Sequence, residues 1–192
     1  MPKPRIESRL VLAGLVVSLC TGASFLPAEP LELKASSGEI VTLDLAPVES
    51  DGSIEGAFRF TKLDSDGRWA PSAFVGFRDE ARDGKFRIFL YQTNAGGQMA
   101  AGYDYAFENQ LVKRKILMND LPRSAAVRVQ LTWDAAGNFH VSLFGKKHHT
   151  IKTHLRSMVP FVAVSSGHAK FSFLFAGTPV LNSWRDLAAV AH

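Results

Sequence analysis

Apolar and polar residues alternate in one short segment after another from Leu31 onward. Because successive side chains of a β-strand point to opposite faces, a period of two predicts strands, whereas a helix would give a period near 3.6. The clearest alternating segments are 58–60, 86–91, 127–133, 139–143 and 171–175. Their apolar positions are expected to face one interior, which is shared by Val129, Leu131, Phe139, Val141, Phe171 and Phe173.

Turn-forming residues separate these segments at short intervals. Asp-Gly pairs stand at 51–52 and 83–84, a Gly pair stands at 96–97, and Gly167 precedes the last run. Short strands with such regular punctuation predict a β-sandwich or barrel. The clearest hairpin joins residues 126–133 to 138–144 through the turn at 134–137.

The N-terminus has a basic stretch with Lys3, Arg5 and Arg9, then an apolar run over 10–20, then small residues at 21–24. This order predicts a secretory signal helix over residues 1–23, cleaved after Ala23, with a cut nearer Ala28 as the alternative, and therefore a protein that is secreted or periplasmic. The apolar run is much shorter than the roughly 20 residues of a membrane-spanning helix, so an uncleaved membrane anchor is the less favoured interpretation. No membrane span is expected after cleavage.

The sequence carries a formal net charge of +4 at pH 7, but part of this excess belongs to the predicted signal. Removing residues 1–23 takes away three basic residues and Glu7, and the excess falls to +2. Because no basic run interleaved with aromatic residues remains, nucleic acid is not an expected partner. The only cysteine, Cys20, lies in the same segment, so the mature domain is expected to depend on a hydrophobic core rather than on disulfides.

The hairpin at 127–144, with Trp133 and Asp134 ahead of the turn residue Gly137, resembles the penultimate hairpin of concanavalin A-like lectins and glucanases, a superfamily that includes LamG-like sandwiches. Pro160 and a Phe-rich last strand follow in the corresponding places. The resemblance implies a two-sheet jelly roll with a concave face that often binds carbohydrate.

The predicted fold class is therefore all-β, as a two-sheet antiparallel jelly-roll sandwich. The signal peptide at 1–23 is expected to precede one sandwich domain at 24–192, with its core at about 31–176. Residues 181–190 are compatible with one short C-terminal helix, because Trp184, Leu187 and Ala188 would share a face.

Paired acids are the first catalytic feature to look for, because glucanases of the superfamily place a nucleophile and a general acid on alternate positions of one strand. This sequence has no such alternation. Asp79, Glu80 and Asp83 lie beside Gly84, where a solvated turn is expected. No Ser-His-Asp order, phosphate-binding glycine loop or redox cysteine pair is found either. We therefore predict no catalytic residue, and an enzyme is the less favoured class of function.

Two segments contain residues that could bind a metal ion. Residues 64–67 begin like a calcium loop but lack the later oxygen ligands, so a plain β-turn is favoured. His148, His149 and His154 lie close together, but adjacent histidines on a strand point to opposite faces. A solvated edge is favoured there, and the sequence predicts neither a metal site nor a cofactor.

If the apolar positions fill the interior, the polar residues between them point away from it. On this basis we predict a ligand-binding face made of Arg59, Arg87, Tyr91, Tyr103, Arg128, Gln130 and His140. In such a groove, tyrosine rings would stack on sugar rings, while arginine side chains would bind carboxylates or sulfates. The alternative is an ordinary solvated outer sheet, in which Arg and Gln are common.

Arg87 and Arg128 lie on different predicted strands, and a concave sheet would bring their side chains together. Replacing Arg128 by Ala is then expected to weaken binding to an acidic polysaccharide by about tenfold or more, which corresponds to about 1.4 kcal/mol. High salt is expected to act in the same direction, because it screens the same charges.

The favoured function is an exported, non-catalytic carbohydrate-binding or envelope-associated sandwich, whose partner is a polysaccharide or other glycan, neutral or acidic. A polysaccharide lyase acting on uronate-containing chains is an alternative, in which Tyr91 or Tyr103 with His140 would transfer protons. A structural or protein-binding sandwich is another, with Phe89 on the outward face available to a partner.

Overall fold

The computed structural model of the protein describes residues 7–9, 30–45, 51–64, 69–93, 97–145, 149–156 and 158–176. Within these ranges the chain forms eleven β-strands and one 3-10 helix, η1 (Glu80–Arg82). The strands are β1 (Glu7–Arg9), β2 (Leu31–Asp44), β3 (Gly52–Leu63), β4 (Ser72–Asp79), β5 (Gly84–Gln92), β6 (Met99–Phe107), β7 (Gln110–Leu121), β8 (Val127–Trp133), β9 (Asn138–Leu143), β10 (His149–Lys152) and β11 (Val159–Ala176). In the same ranges, no helix is long and apolar enough to cross a membrane.

The strands are arranged as two sheets that share β2 and β11. The front sheet has the strand order β1-β2-β11-β4-β5-β6-β7, and the back sheet has the order β2-β11-β3-β8-β9-β10. Neighbouring strands are antiparallel, except that β1 runs parallel to β2. In β11, residues 159–165 pair with β4 and residues 167–176 pair with β3, so the long last strand belongs to both sheets.

The shared strands pass from one sheet to the other at a break in their pairing. The register shifts between Ser165 and Gly167, and Ser166 adopts a φ of +51°. The backbone N–H of Gly38 donates to Ser166 Oγ at 3.0 Å, which ties the bend of β2 to the bend of β11. Gly38 has a φ of +76°, a conformation that glycine adopts without steric cost.

Aromatic contacts between the two sheets mark the interior. The ring centroid of Phe77 in β4 lies 4.7 Å from that of Trp133 in β8 and 5.4 Å from that of Phe139 in β9. Phe86 of β5 stacks on Phe139 at 4.6 Å. The residues predicted to share one interior all belong to this core, namely Val129, Leu131, Phe139, Val141, Phe171 and Phe173. The two-sheet architecture expected from the alternation is confirmed.

The predicted hairpin is present as β8 and β9, and one carboxylate organises its turn. Asp134 Oδ1 accepts hydrogen bonds from the backbone N–H groups of Ala136 and Asn138, each at 2.9 Å. The Asn138 side-chain amide donates to Asp134 Oδ2 at 2.8 Å. Hydrogen bonds from the Asn138 side chain, and then from its backbone, lower the pKa of Asp134. Gly137 supplies the positive φ, +80°, that the turn requires.

Several sequence predictions fall at the ends of the chain or in its loops. Glu7–Arg9, inside the predicted signal helix, form β1 beside residues 40–42 of β2, so this part is a strand. The rest of 1–23 and the predicted helix at 181–190 lie outside the described residues. So do residues 65–67 of the candidate calcium turn, while Asp64 forms an ion pair with Lys62 at 2.8 Å.

The turn after β4 corrects one expectation. Asp79 is only 1% exposed, not solvated, and its Oδ2 accepts a hydrogen bond from the backbone N–H of Arg156 at 2.8 Å. The carboxylate is buried because the chain leaving β10 packs over the end of β4. Asp83, as expected, is exposed.

Candidate functional site

The outer face of the front sheet carries a cleft of about 460 Å³, called the front cleft below. It crosses the sheet from β2 to β7, and its lining includes the segment that leads into β4. The strands contribute Ile40 of β2, Ser165 of β11, Phe74 of β4, Tyr91 of β5, Asp104 of β6 and Arg114 of β7. These side chains point outward because they alternate with residues of the core.

Three charged side chains form a row across β5, β6 and β7 in the front cleft. Arg87 stands opposite Asp104 in the register, and Asp104 stands opposite Arg114. Nε and Nη2 of Arg87 each donate to one carboxylate oxygen of Asp104 at 2.8 Å. The Asp104 side chain is 3% exposed and that of Arg87 is 25% exposed. Such a two-pronged ion pair satisfies a buried carboxylate and fixes its orientation.

Aromatic rings lie beneath both guanidinium groups. The Arg87 guanidinium carbon lies 4.9 Å from the ring centroid of Phe74. That of Arg114 lies 4.9 Å from the centroid of Phe89 and 5.3 Å from that of Tyr91. Phe89 and Tyr91 meet edge to face at 5.5 Å. Because these contacts combine cation–π attraction with stacking, they hold both arginines at defined positions above the sheet.

The floor of the front cleft is shaped by a missing side chain at Gly102. A Cβ atom at this position would lie 2.1 Å from the backbone oxygen of Lys115 and 2.9 Å from Cζ of Phe89. The Phe89 ring therefore rests against the backbone of β6, and only glycine leaves room for it. This explains how Phe89 can point outward and still be 1% exposed.

The other end of the front cleft has a different chemistry. Trp69, in the segment before β4, is 47% exposed and offers an open indole. Ser165 is 4% exposed, and its hydroxyl has no hydrogen-bond partner among the described residues. Buried polar groups are usually paired, so this hydroxyl is available to a group that enters the cleft. The cleft thus combines open aromatic surface with hydrogen-bonding groups.

A second cavity, of about 510 Å³, lies on the outer face of the back sheet. Its lining includes Lys34, Lys62, Asp64 and His168, and Lys62 is already paired with Asp64 at 2.8 Å. Tryptophan, tyrosine and phenylalanine are absent from its described lining. Among the described residues, no group of three His, Cys, Asp or Glu side chains is placed to hold a metal ion.

The sequence-predicted binding face is divided by the fold. Arg87 and Tyr91 line the front cleft. The other polar members, Arg59, Arg128, Gln130 and His140, lie on the outer face of the back sheet, on β3, β8 and β9. The expected meeting of Arg87 with Arg128 is therefore wrong, because the whole apolar interior separates their sheets.

Tyr103, the remaining member of the predicted binding face, lies in the core and not on either outer face. It is 1% exposed, as Tyr105 is 2% exposed, and Asp104 between them faces the front cleft. The side of β6 that carries Tyr103 and Tyr105, expected to bind sugar, therefore faces the interior. The reason is that the rings can fill apolar space, whereas the Asp104 carboxylate needs Arg87 on the outer surface.

The residues named for a lyase are not brought together. Tyr91 is in the front cleft, Tyr103 is in the core, and His140 is on the back sheet, where its Nδ1 lies 3.0 Å from Thr150 Oγ1. Proton transfer requires groups within hydrogen-bond reach of one substrate. Phe89 also differs from the surface contact expected for a protein partner, because Arg114 and Tyr91 cover it.

Sequence reasoning missed Arg114, Trp69 and the role of Asp104. Arg114 is hidden because β7 is an edge strand whose first seven residues are all exposed, so no alternation marks it as a strand. The run Lys113-Arg114-Lys115 is its only signal. Trp69 precedes a strand and has no periodic neighbour. The signal for Asp104 is the alternation Tyr103-Asp104-Tyr105. If both rings are assigned to the interior, Asp104 must face outward.

The two sheets and their shared strands have the architecture of a concanavalin A-like jelly-roll sandwich. A solved structure similar to this chain is the Bacillus licheniformis β-glucanase, with a TM-score of 0.57 and 11% identity over 77% of this chain and 78% of that one. This likeness shows the fold. No protein-family model matches the sequence, and a search of curated proteins gave no match either.

Two further solved structures are similar at lower scores. An alginate lyase from Pseudomonas aeruginosa has a TM-score of 0.49 and 11% identity over 67% of this chain and 65% of that one. The carbohydrate-binding module CBM66 from Bacillus subtilis has a TM-score of 0.49 and 12% identity over 73% of this chain and 82% of that one.

Proposed function

We propose that the protein binds a glycan in the front cleft and does so without catalysis. The observation that carries this proposal is the row Arg87–Asp104–Arg114, which is mounted on aromatic rings and bordered by the exposed indole of Trp69. Ligand sites are typically concave and apolar, with a few fixed polar groups, and the front cleft has this composition.

The side chains of the front cleft suit the two surfaces of a sugar. Its C–H groups form an apolar face that can stack on the open aromatic ring of Trp69. Its hydroxyls both donate and accept hydrogen bonds. Asp104 offers acceptor lone pairs beyond those used by Arg87, and Arg114 offers donors. Fixed donors and acceptors side by side would select the orientation of neighbouring hydroxyls.

The size of the front cleft favours a chain over a single sugar. It runs from Ile40 on β2 to Arg114 on β7, which are separated by five inter-strand intervals. At about 4.8 Å for each interval, this distance is about 24 Å along the sheet. We therefore propose an oligosaccharide or polysaccharide segment that lies across the strands. Neutral and acidic chains both fall within this proposal.

Binding without catalysis is favoured by the carboxylates of the cleft. Glycoside hydrolysis needs two carboxyl groups on either side of the scissile bond. Asp104 is the one acidic side chain in the described lining, and both of its oxygens already accept hydrogen bonds from Arg87. This arrangement suits a group that orients a ligand better than one that transfers a proton.

A glycan array followed by calorimetry on the best ligand tests the proposal. Replacing Trp69 by Ala should weaken binding by about tenfold or more, or about 1.4 kcal/mol, because an open stacking surface is lost. Arg128→Ala, on the back sheet, is the control and should bind like the wild type. Absence of binding to every glycan would contradict the proposal, and so would equal losses in the two variants.

We further propose that residues 1–23 direct export and are then removed. The proposal rests on the basic, apolar and small-residue zones of the N-terminus. Expression in a bacterial host, followed by N-terminal sequencing of the periplasmic and medium fractions, tests it. Mature protein that begins at Ser24 is expected. Full-length protein found only in the cytoplasm would show that the segment is not a signal.

A further inference from the structure

The front cleft contains one charge that has no opposite partner among the described residues. Its described lining has three charged side chains, Arg87, Asp104 and Arg114. Arg87 and Asp104 neutralise each other through two hydrogen bonds of 2.8 Å. Arg114 makes no ion pair with any described residue, and its contacts are with the rings of Phe89 and Tyr91. The cleft therefore has a net charge of +1, located at its β7 end.

The guanidinium of Arg114 is well placed to meet a ligand. Stacking on aromatic rings uses the faces of a guanidinium and leaves its N–H donors, which lie in the guanidinium plane, free. Arg114 is also exposed, whereas Arg87 is partly covered and its Nε and Nη2 already bind Asp104.

These observations assign a substrate class to the proposed glycan site. We infer that the front cleft selects anionic glycans, and that Arg114 binds their carboxylate or sulfate group. The inference rests on the proposed glycan-binding function. A planar guanidinium matches either group with two parallel hydrogen bonds, and such charge-assisted bonds are roughly twice as strong as neutral ones. A neutral hydroxyl at the same position gains much less.

Arg87 and Arg114 have different roles in the front cleft. Arg87 holds Asp104 and thereby organises the part of the cleft that recognises hydroxyls. Arg114 recognises charge, and its removal should abolish the preference for acidic chains while weakening the binding of neutral chains much less. Arg114 is therefore a specificity-determining residue, and sequence alternation does not reveal it.

Matched glycan pairs that share a backbone and differ chiefly in charge provide the test. Polygalacturonate and its methyl ester form the carboxylate pair, and dextran sulfate and dextran form the sulfate pair. Calorimetry at moderate salt should show that the wild type binds at least one acidic member about tenfold or more tightly than its neutral partner. The carboxylate and sulfate arms then identify which anionic group is preferred.

Two variants distinguish a local contact from the overall charge. Arg114→Gln and Arg128→Gln each remove one exposed arginine, from the front cleft and from the back sheet respectively. Arg114→Gln should lose the discrimination between acidic and neutral partners, whereas Arg128→Gln should keep it. Arg114→Lys should restore part of it, because the charge returns without the stacked, two-pronged geometry.

The remaining outcomes overturn the inference in recognisable ways. Equal losses in Arg114→Gln and Arg128→Gln would show unspecific attraction of a polyanion to a basic protein. Binding of neutral chains equal to or tighter than that of acidic ones, with Trp69→Ala weakened, would leave glycan binding in place and remove the charge selection. No binding of any polymer, charged or neutral, would overturn the proposed function and the inference together.

Discussion

Asp104 shows how a buried charge is held at the surface of this sandwich. Its side chain is 3% exposed, and each of its two oxygens accepts a hydrogen bond from Arg87. Removing one member of a buried ion pair leaves the other charge uncompensated and costs more than the pair itself contributes. The pair is therefore a structural requirement of the front cleft as well as a recognition element.

Replacement of Arg87 by Ala should lower the free energy of unfolding by about 2–3 kcal/mol, below the roughly 3–5 kcal/mol of a fully buried pair, because the Arg87 side chain is 25% exposed. Urea denaturation measures this change. If the double variant Arg87→Ala/Asp104→Ala is no more stable than Arg87→Ala, the uncompensated carboxylate is not the cause.

Tyr103 gives a prediction that separates core from binding site. Burial raises the pKa of Tyr103 and of Tyr105, so the neutral phenols stabilise the folded protein. Their contribution is complete below about pH 10, the ordinary tyrosine value, and is lost as the pH rises through the higher folded pKa. Tyr103→Phe should therefore unfold at higher pH than the wild type, followed by circular dichroism and tyrosinate absorbance. Its glycan affinity at neutral pH should be unchanged, and a loss of affinity would place Tyr103 in the site after all.

The hairpin of β8 and β9 is stabilised locally by its turn. Hydrogen bonds from Asn138 and from the Ala136 backbone hold the Asp134 carboxylate and lower its pKa. A lowered folded pKa means that the ionised group contributes stability above the unfolded value of about 3.9, and that this contribution is lost as the pH falls through the folded value.

Asp134→Ala should consequently melt below the wild type at neutral pH, with the gap narrowing once the pH falls below about 4. Thermal melts by circular dichroism over a pH series measure the gap. The charge of His140 also lowers the pKa of Asp134, but by less than the hydrogen bonds do. In a His140→Ala background, the difference in melting temperature caused by Asp134→Ala should therefore be only slightly smaller. A gap that is constant with pH would show that the carboxylate charge has no part in the turn.

The last strand, β11, is the element on which both sheets depend. Phe173 in its second half is 2% exposed, and its ring centroid lies 6.1 Å from that of Phe58 on β3. Phe173→Ala should lower the free energy of unfolding by about 3–5 kcal/mol, the usual penalty for removing a buried aromatic ring. Ser172→Ala, on the exposed side of the same strand, is the control. An unchanged denaturation midpoint for Phe173→Ala would contradict the assignment of this strand.

How far the sequence predicts these elements depends on their burial. A strand with one buried face, such as β8, shows clean alternation, and the sequence predicts it with its inward residues. The sequence does not predict the first half of β11 as a strand. Phe161 to Val164 are all buried because both faces of this half are covered, so they form a continuous apolar run without alternation. β7 was missed for the opposite reason, since an exposed edge strand has no apolar face. Arg114 was lost with it.

At the scale of the molecule, the fold has two outer faces with different chemistry. Alternation assigns residues to the inside or the outside of a strand, but it does not say which strands share a sheet. Arg87 and Arg128 are both outward-facing and yet belong to opposite sheets, which pack about 10 Å apart in sandwiches of this kind. The binding site could not be assembled from the sequence because sheet membership depends on the long-range pairing of β2 and β11.

Ligand binding on the front sheet is tested most directly by a nuclear magnetic resonance titration. The ¹⁵N-labelled protein is titrated with an oligogalacturonate while its amide and indole N–H shifts are recorded. The largest changes are expected at Trp69, Tyr91, Asp104 and Arg114, with the back sheet unaffected. Changes concentrated instead at Arg59, Arg128 and Gln130 would contradict the account and place binding on the opposite face.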